Sequence, residues 1–450
     1  MAEEQDGQPE IVAKSVEDVE QLSRDIAGGV ETTSVPKTPV TKLRDEIKDK
    51  EEDYKLSDED LQLTIDQEGF NVELFEVNEN LAFIKNFGNV AAFKDDTSAL
   101  LIDTGMGVSS VQVVSKLKEW GIENVEFIIY THGHVDHVTG TDYIINAFEN
   151  SNTKVIGHKN IVNRFDRYKK TIGYNGIINQ RQFGLPSPVF PNEFTYPDTT
   201  YDDSYELEFN NSVLKLFHGK GETDDATYIF SEKDNALFTG DFFIWSLPNA
   251  GNPSKSQRYV GSWGEVLKKM SELNPEYLFP GHGPLIKGKK EITKVLLDTS
   301  NCMLWIEDNV LSLMNSGHSL REIHSKLSLP PEFQQPYLVS VYDDFKFLIN
   351  SVWRQYGGWY SGTPSELKPP ALDEIGKTYI DMAGGEDNLL EFLNSLVSSE
   401  KCREASVIVD AVYTVNKDLF GEIKNEIYLN LSEQETSLMA KGIYKFDLDS

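Results

Sequence analysis

The sequence predicts a layered α/β domain that is followed by a helical region. Four short apolar segments, TKVIGH, SVLKLFHG, ALFTGD and EYLFPGHG, each carry a histidine or an aspartate as the last or next-to-last residue. Strands that deliver polar side chains to a shared rim are typical of a layered architecture with a site at one edge. After about residue 290 the apolar residues recur at helical spacing, which predicts helices up to the end of the chain.

The elements follow in chain order. Residues 1–65 are rich in acidic side chains, and we expect a solvated, mobile arm or one that docks on a partner subunit. From about residue 70, VELFEVNENLAFIK and NVAAFKDDTSALLIDTG alternate as strands do. The stretch SSVQVVSKLKEWG (109–121) begins with serine and ends with glycine, which predicts a helix.

The composition excludes several classes of protein. The formal net charge of −31 over 450 residues disfavours nucleic-acid binding. Cys302 and Cys402 are the only cysteines, so a secreted disulfide framework is not expected and a reduced, cytoplasmic location is. The first ten residues carry no apolar signal-peptide core, and no segment has the roughly 18 apolar residues of a membrane span.

The stretch THGHVDH (131–137) predicts a metal site. His132 and His134 are two residues apart, so in an extended segment their side chains point the same way. Asp136 and His137 follow where the chain turns into a helix. One short loop could therefore supply two ligands to one metal ion and two to its neighbour.

THGHVDH resembles the metal-binding loop of the metallo-β-lactamase superfamily, which implies an αββα sandwich. LLIDTG (100–105) resembles the early strand whose aspartate, here Asp103, supports that loop. ALFTGDFF resembles the strand with the bridging carboxylate, here Asp241, and LFPGHG resembles the last ligand loop, with His282. The resemblance implies two Zn²⁺ per subunit, although another divalent metal could replace zinc.

The segment GKGETDDATYIF departs from the usual Gly-His-Thr motif. Glu222 stands where most members have histidine, and His218, four residues earlier, is the rival ligand. The Gly-Glu-Thr register favours Glu222, and glutamate at this place resembles the alkylsulfatase branch. Alkylsulfatases tend to have glutamate as the bridging ligand, whereas this chain has Asp241.

The later segments also resemble alkylsulfatases. WRQYGGWYSGTPSEL (353–367) and residues 383–411 are similar to the alkylsulfatase dimerisation domain, which implies a homodimer. We therefore expect an arm at 1–65, a catalytic domain at 66–300 and a helical dimerisation domain at 301–450. Larger alkylsulfatases end in a sterol-carrier-like domain, for which we see no room before KGIYKFDLDS.

The resemblance implies that a dinuclear metal-activated water hydrolyses an alkyl sulfate to an alcohol and sulfate, with Asp136 steering that water. His218 is the nearest candidate general acid, although it could equally be a structural histidine. His158 is expected to be structural. Recognition of the sulfate anion requires cations and neutral donors, and the candidates are Asn252, Arg258, Tyr174, Asn175 and Arg181.

Each of these readings has an alternative. Arg258 could form a structural ion pair in this acidic chain, and residues 167–184 could be a surface insertion. The same metal site could hydrolyse another ester class, such as a thioester or a lactone, because the fold alone does not fix the reaction. A non-enzymatic assembly protein on an inactive scaffold is the third reading, and the complete ligand set argues against it.

Overall fold

The structure is a computed structural model that describes residues 72–148, 152–185 and 187–446. The acidic arm predicted for residues 1–65 lies outside the described residues. The described part of the chain contains two mixed β-sheets packed face to face, with helices on both outer faces and further helices after them. The predicted α/β sandwich followed by a helical region is confirmed.

The first sheet has seven strands in sequential order. Its first four strands pair in antiparallel fashion, and β4 to β7 run parallel to one another. The strands are β1 (Glu73–Asn78), β2 (Leu81–Lys85), β3 (Val90–Asp95), β4 (Ser98–Ile102), β5 (Asn124–Ile129), β6 (Lys154–His158) and β7 (Thr199–Tyr201).

The second sheet has six strands in the order β13-β12-β11-β10-β9-β8. Only β11 and β12 run parallel among its pairs, so both end at the same edge. The strands are β8 (Ser204–Phe209), β9 (Ser212–His218), β10 (Thr227–Ser231), β11 (Ala236–Gly240), β12 (Tyr277–Pro280) and β13 (Ile286–Lys287).

Alternation along the strands sorts side chains between two cores. In β2, Leu81 and Phe83 are buried against residues of the second sheet such as Phe238, whereas Ala82 and Ile84 are buried on the helix side. A period of two residues places neighbours on opposite faces of a strand. Burial on both faces explains why β2 reads as a continuous apolar run.

Helices of the sandwich occupy its two outer faces. Residues of α1, α3 and α4 share a core with the first sheet, and residues of α6 and α7 share one with the second. These helices are α1 (Ser110–Glu119), α2 (Val135–Val138), α3 (Thr141–Ala147), α4 (Asn160–Lys170), α5 (Ile172–Phe183), α6 (Val260–Glu272) and α7 (Lys289–Asn315). The domain boundary expected between residues 300 and 301 falls inside the continuous helix α7.

The C-terminal region is helical. It contains α8 (Leu320–Lys326), α9 (Phe345–Gly357), α10 (Leu372–Ala383), α11 (Glu386–Ser398), α12 (Cys402–Tyr413), α13 (Lys417–Gln434) and α14 (Leu438–Phe446). Helices α11, α12 and α13 bury a separate apolar core, while residues of α9 join the core of the second sheet. Among the residues that the structure describes, no helix is both long enough and apolar enough to span a membrane.

Candidate metal centre

The loop after β5 brings its histidines together. Residues 131–134 form a short connection after the strand, in which His134 is extended, and helix α2 begins at Val135. His132 and His134 therefore lie on the same side of the backbone, with Nε2 of the first 2.9 Å from Nδ1 of the second. His137 follows in α2 with its ring 4.4 Å, centroid to centroid, from that of His132.

Asp103 supports this loop from behind. Its carboxylate is buried and accepts hydrogen bonds from the backbone N–H of Thr131 at 2.7 Å and from the Thr131 hydroxyl at 2.6 Å. The same carboxylate lies 2.8 Å from Nδ1 of His137, which leaves Nε2 of that ring for the site. A carboxylate that fixes the far nitrogen of a histidine is the usual outer support of a metal ligand.

The seven residues expected as ligands lie in two neighbouring sets, here called the histidine–carboxylate cluster. In each set, the potential ligand atoms all lie within 4.8 Å of one another. The loop of residues 131–137 contributes to both sets, as its spacing suggests. The sets are His132, His134, Glu222 and Asp241, and Asp136, His137 and His282.

Asp241 joins the two sets. It follows β11, and its Oδ2 lies 3.5 Å from Nε2 of His132 in the first set. Its Oδ1 lies 3.1 Å from Nε2 of His137 and 3.4 Å from Nε2 of His282 in the second. Gly281 makes this approach possible, because a Cβ there would lie 2.1 Å from Asp241 Oδ1. One carboxylate thus presents an oxygen to each set.

The residues fit a pair of metal ions. Asp241 Oδ1 is buried and accepts no hydrogen bond from any described residue, although it faces two imidazoles. Two ligand atoms bound to a tetrahedral zinc ion at about 2.0–2.2 Å lie about 3.3–3.6 Å apart. The separations of 3.3 Å from His282 to Asp136, 3.4 Å from His282 to Asp241 and 3.5 Å from His132 to Asp241 match that spacing.

Electrostatics also indicates that the cluster favours added positive charge. Burial alone would lower the pKa of His282, but the charges of Asp241 and Asp136 raise it to about 10. Burial likewise opposes the charge on His137, and yet Asp241, Asp136 and Asp103 hold its pKa well above the usual value. A divalent cation supplies this charge without protonating the imidazoles.

Glu222 is held by the loop that follows β11, residues 243–259, here called the cover loop. Its Oε1 accepts hydrogen bonds from Asn249 Nδ2 at 2.7 Å and from Arg258 Nη1. Burial raises the pKa of Glu222 to about 8, although the Arg258 charge acts in the opposite direction. The buried guanidinium of Arg258 pairs with Glu222 and with the carbonyl oxygen of Asn249, and its contact with a substrate stays a prediction.

The other expected substrate residues do not contact the cluster in the structure. Asn252 is buried and donates to Met439 Sδ at 3.1 Å. On α5, Tyr174 is exposed, and Asn175 donates to the hydroxyl of Thr171 at 2.8 Å. The guanidinium of Arg181 lies 5.0 Å from the ring centroid of Phe446. Substrate contact by these four residues stays a prediction.

His218 lies apart from the cluster. Its ring stacks on that of His158 with centroids 3.8 Å apart, and its Nε2 contacts the carbonyl oxygen of Asp224 at 3.0 Å. His218 therefore belongs to neither donor set, and its role as general acid stays a prediction. Of the two rival ligands, Glu222 is the one that lies in a donor set, 3.8 Å from His134.

Sequence reasoning did not anticipate the support given by Asp225 and Arg164. Asp225 accepts from the backbone N–H of Gly133, in the middle of the histidine loop, at 3.3 Å. Arg164 in α4 donates to the same oxygen at 2.6 Å and to Asp224 at 2.6 Å. In the sequence, the pair Asp224-Asp225 was the only local sign of this support for the histidine loop. Nothing in the sequence identified Arg164 as the partner of that pair.

Lys255 is the cation of the cover loop that remains open to a ligand. Its ammonium group donates no hydrogen bond to any described residue, whereas Arg258 is paired. Burial and the Arg258 charge lower the pKa of Lys255 to about 8, while Glu222 and Asp136 act in the opposite direction. Lys255 thus lies in the electric field of both donor sets.

Comparison with known proteins agrees with the fold and with the order of the motifs. Residues 84–282 match the Metallo-beta-lactamase superfamily, and residues 319–448 match the family described as Alkyl sulfatase dimerisation. The solved structure of the stereoselective inverting sec-alkylsulfatase Pisa1 from Pseudomonas sp. superposes with a TM-score of 0.75 at 18% identity. That comparison covers 90% of this chain and 69% of the other.

Curated relatives carry related names. A linear primary-alkylsulfatase of Pseudomonas sp. (strain ATCC 19151) is 22% identical over 65% of this chain and 60% of its own length. An (R)-specific secondary-alkylsulfatase of Pseudomonas sp. is 23% identical over 74% of this chain and 55% of its own. The match thus spans between about half and two thirds of these relatives. The chain thus contains a domain of the metallo-β-lactamase superfamily, which is followed by an alkyl sulfatase dimerisation domain.

Proposed function

We propose that the protein hydrolyses alkyl sulfate esters to an alcohol and inorganic sulfate, with two Zn²⁺ per subunit. The observation that carries the proposal is the placement of Asp241, whose two oxygens face two separate donor sets. The relatives named alkylsulfatases support the choice of a sulfate ester over other esters. The dimerisation family supports a homodimer formed through the C-terminal helices.

The chain's own residues would place the reactants. The metal ions, when bound, supply Lewis acidity and a water of lowered pKa. His132, His134 and Glu222 would hold one ion, Asp136, His137 and His282 the other, with Asp241 common to both. The free oxygen of Asp136 would accept a hydrogen bond from the attacking water and so orient it.

A panel assay tests the proposed function. The metal-loaded protein is incubated with primary and secondary alkyl sulfates of several chain lengths, and released inorganic sulfate is measured. The proposal expects release from at least one ester and its loss after chelation, with recovery when zinc is restored. Absence of release across the whole panel, with two metals bound per subunit, would contradict it, and hydrolysis of thioesters or lactones instead would favour the alternative.

Lys255→Met is expected to weaken recognition of the sulfate group. A hydrogen bond to a charged group contributes about 1.5–3 kcal/mol, so kcat/KM for an alkyl sulfate should fall about 10- to 100-fold. Steady-state kinetics measures this loss, and Lys233→Met is the control because Lys233 is bonded to the carbonyl of Asn210. Equal losses on an uncharged ester would refute a role in anion recognition.

Trp359→Asp is expected to separate the subunits. Trp359 lies just after α9, in the stretch WRQYGGWYSGTPSEL (353–367). Its side chain is 71% exposed, which is unusual for so large an apolar residue. A charge at a buried interface position is unfavourable, so the variant should be monomeric while the unmodified protein is a dimer. Light scattering during size-exclusion chromatography measures this mass, and a dimeric variant would place the interface elsewhere.

A further inference from the structure

The C-terminal region holds the cover loop near both of its ends. The backbone N–H of Leu247 donates to the carbonyl oxygen of Val339 at 3.1 Å. Near the other end, the hydroxyl of Ser351 in α9 donates to the carbonyl oxygen of Arg258 at 3.1 Å. This stretch of the loop carries the asparagine and the arginine that donate to Glu222. The position of one expected metal ligand therefore depends on contacts made outside the sandwich.

Asp343 holds the middle of the cover loop. Its carboxyl group is buried, and its Oδ2 accepts a hydrogen bond from the backbone N–H of Gly251 at 2.6 Å. Its Oδ1 accepts a second one from the backbone N–H of Asp344 at 2.9 Å. Gly251 comes two positions after Asn249, which donates to Glu222. A carboxylate can accept at both oxygens, whereas an amide in its place could accept at only one.

The cover loop touches the first turn of α9 at Gly251. A Cβ on Gly251 would lie 2.2 Å from the carbonyl carbon of Phe347 and 2.4 Å from the backbone nitrogen of Leu348. Any side chain at this position would have to displace either the loop or the helix, so the approach requires glycine. The loop and α9 are thus in direct backbone contact, and a shift of one moves the other.

Arg258 links this contact to the metal centre through its charge. Its guanidinium donates to Glu222, and its positive charge also favours the ionised form of Asp343. Burial nevertheless raises the pKa of Asp343 to about 7, although the N–H groups of Gly251 and Asp344 act in the opposite direction. One buried cation therefore interacts with a carboxyl group of the sandwich and with one of the C-terminal region.

We propose that Asp343 is a positioning residue of the metal centre, which fixes the cover loop at Gly251 so that Asn249 and Arg258 hold Glu222 towards its donor set. The inference rests on the metal pair of the proposed function, in which Glu222 is a ligand of one ion. Groups that orient a metal ligand from outside typically change metal affinity about 10- to 100-fold. The set that contains His282 has no ligand from this loop, so its affinity should not depend on Asp343.

A zinc titration of Asp343→Asn tests the inference. The metal-free variant and the unmodified protein are titrated with Zn²⁺ in competition with a chromophoric chelator. One of the two metal equivalents should bind about 10-fold more weakly in the variant, while the other stays within twofold. A merely structural role would lower the melting temperature of the metal-free protein and leave both affinities unchanged.

A double variant shows whether Asp343 acts through Glu222. Glu222→Gln alone should weaken the same metal equivalent, because it removes the ligand's charge. If Asp343 acts by placing that carboxylate, Asp343→Asn added to Glu222→Gln should cause no further loss beyond twofold. Losses that add up in the double variant would overturn the inference, and so would affinities within twofold of the unmodified protein at both equivalents in Asp343→Asn.

Two further variants complete the design. Asp344→Asn is the matched control, because the Asp344 carboxylate accepts from the N–H of Lys346 at 2.7 Å and caps α9, a role that asparagine performs equally well. Its two zinc affinities should equal those of the unmodified protein. Gly251→Ala displaces the cover loop from α9 and should weaken the same equivalent about 10-fold, and it serves if Asp343→Asn fails to fold.

The two proposals fail in distinguishable ways. An unmodified protein that binds two zinc ions but releases no sulfate from any ester overturns the proposed function and leaves this inference standing. A protein that does not bind a pair of metal ions overturns both. Sulfate release by the unmodified protein, with unchanged zinc affinities in Asp343→Asn, overturns this inference alone.

Discussion

Asp241→Asn is expected to lose both hydrolysis and the bound metal pair. The two oxygens of Asp241 face the two donor sets, so an amide in its place removes the shared carboxylate and leaves each ion with one anionic ligand, Glu222 or Asp136. Metal ions stabilise hydrolytic transition states by several kcal/mol, so kcat/KM should fall at least about 1,000-fold. Elemental analysis should find fewer than two metal equivalents per subunit.

Asp234→Asn is the matched control for that experiment. Asp234 lies in the turn between β10 and β11, at the opposite end of β11 from Asp241. Its carboxylate accepts a hydrogen bond from the Ser231 hydroxyl at 2.6 Å. Its replacement should keep both metal ions and full activity. The account of Asp241 is wrong if Asp241→Asn binds two metal equivalents as tightly as the unmodified protein.

Arg258→Met is expected to destabilise the metal-free protein strongly. Arg258 and Glu222 are both nearly inaccessible to solvent, with side-chain exposures of 4% and 5%. Removal of one partner of a buried ion pair costs roughly 3–5 kcal/mol where the other partner stays charged. Because burial raises the pKa of Glu222 to about 8, the loss should be largest above that pH and should shrink at lower pH, where Glu222 takes up a proton. The loss should be smaller with zinc bound, since the ion then compensates Glu222. Denaturant unfolding with and without chelator measures both values.

A double variant separates pairing from packing. Glu222→Gln together with Arg258→Met removes both charges, so the double variant should recover most of the stability lost in Arg258→Met alone. Recovery should be visible in the chelated protein, where the pair has no metal ion to compensate it. A loss that is the same with and without zinc would contradict the ion-pair role.

The metal loop could be predicted because its signal is local. His132 and His134 follow a strand directly, and the two-residue period fixes their relative direction before any tertiary contact forms. Asp241 and His282 end β11 and β12, which run parallel and so reach one edge of the sheet. Apolar strands that end in these residues are enough to predict both the layered fold and the convergence.

The roles of Arg258 and His218 could not be predicted in the same way. The sequence shows that Arg258 follows the strand before Asp241. It does not show that the cover loop folds back and places Arg258 against Glu222. His218 ends β9, and its ring stacks on His158 of the other sheet. Such contacts depend on how the two sheets pack, and no period along one strand encodes that.

Contacts of the C-terminal region with the sandwich could not be predicted for a related reason. Tyr342 and Gln182 are 160 positions apart and meet only when the helical region packs on the sandwich. The sequence VYDDF has no metal-ligand spacing and no motif of its own. Helix α5 attracted attention through its polar side chains, yet Gln182, not Arg181, is the residue that bonds to Tyr342 beside the cover loop.

Anomalous X-ray diffraction at the zinc edge tests the central claim most directly. Crystals grown with zinc should show two peaks per subunit, one within the set that contains Glu222 and one within the set that contains His282, with Asp241 in contact with both. A single peak, or two peaks of which neither contacts Asp241, would contradict a dinuclear centre built from these seven side chains.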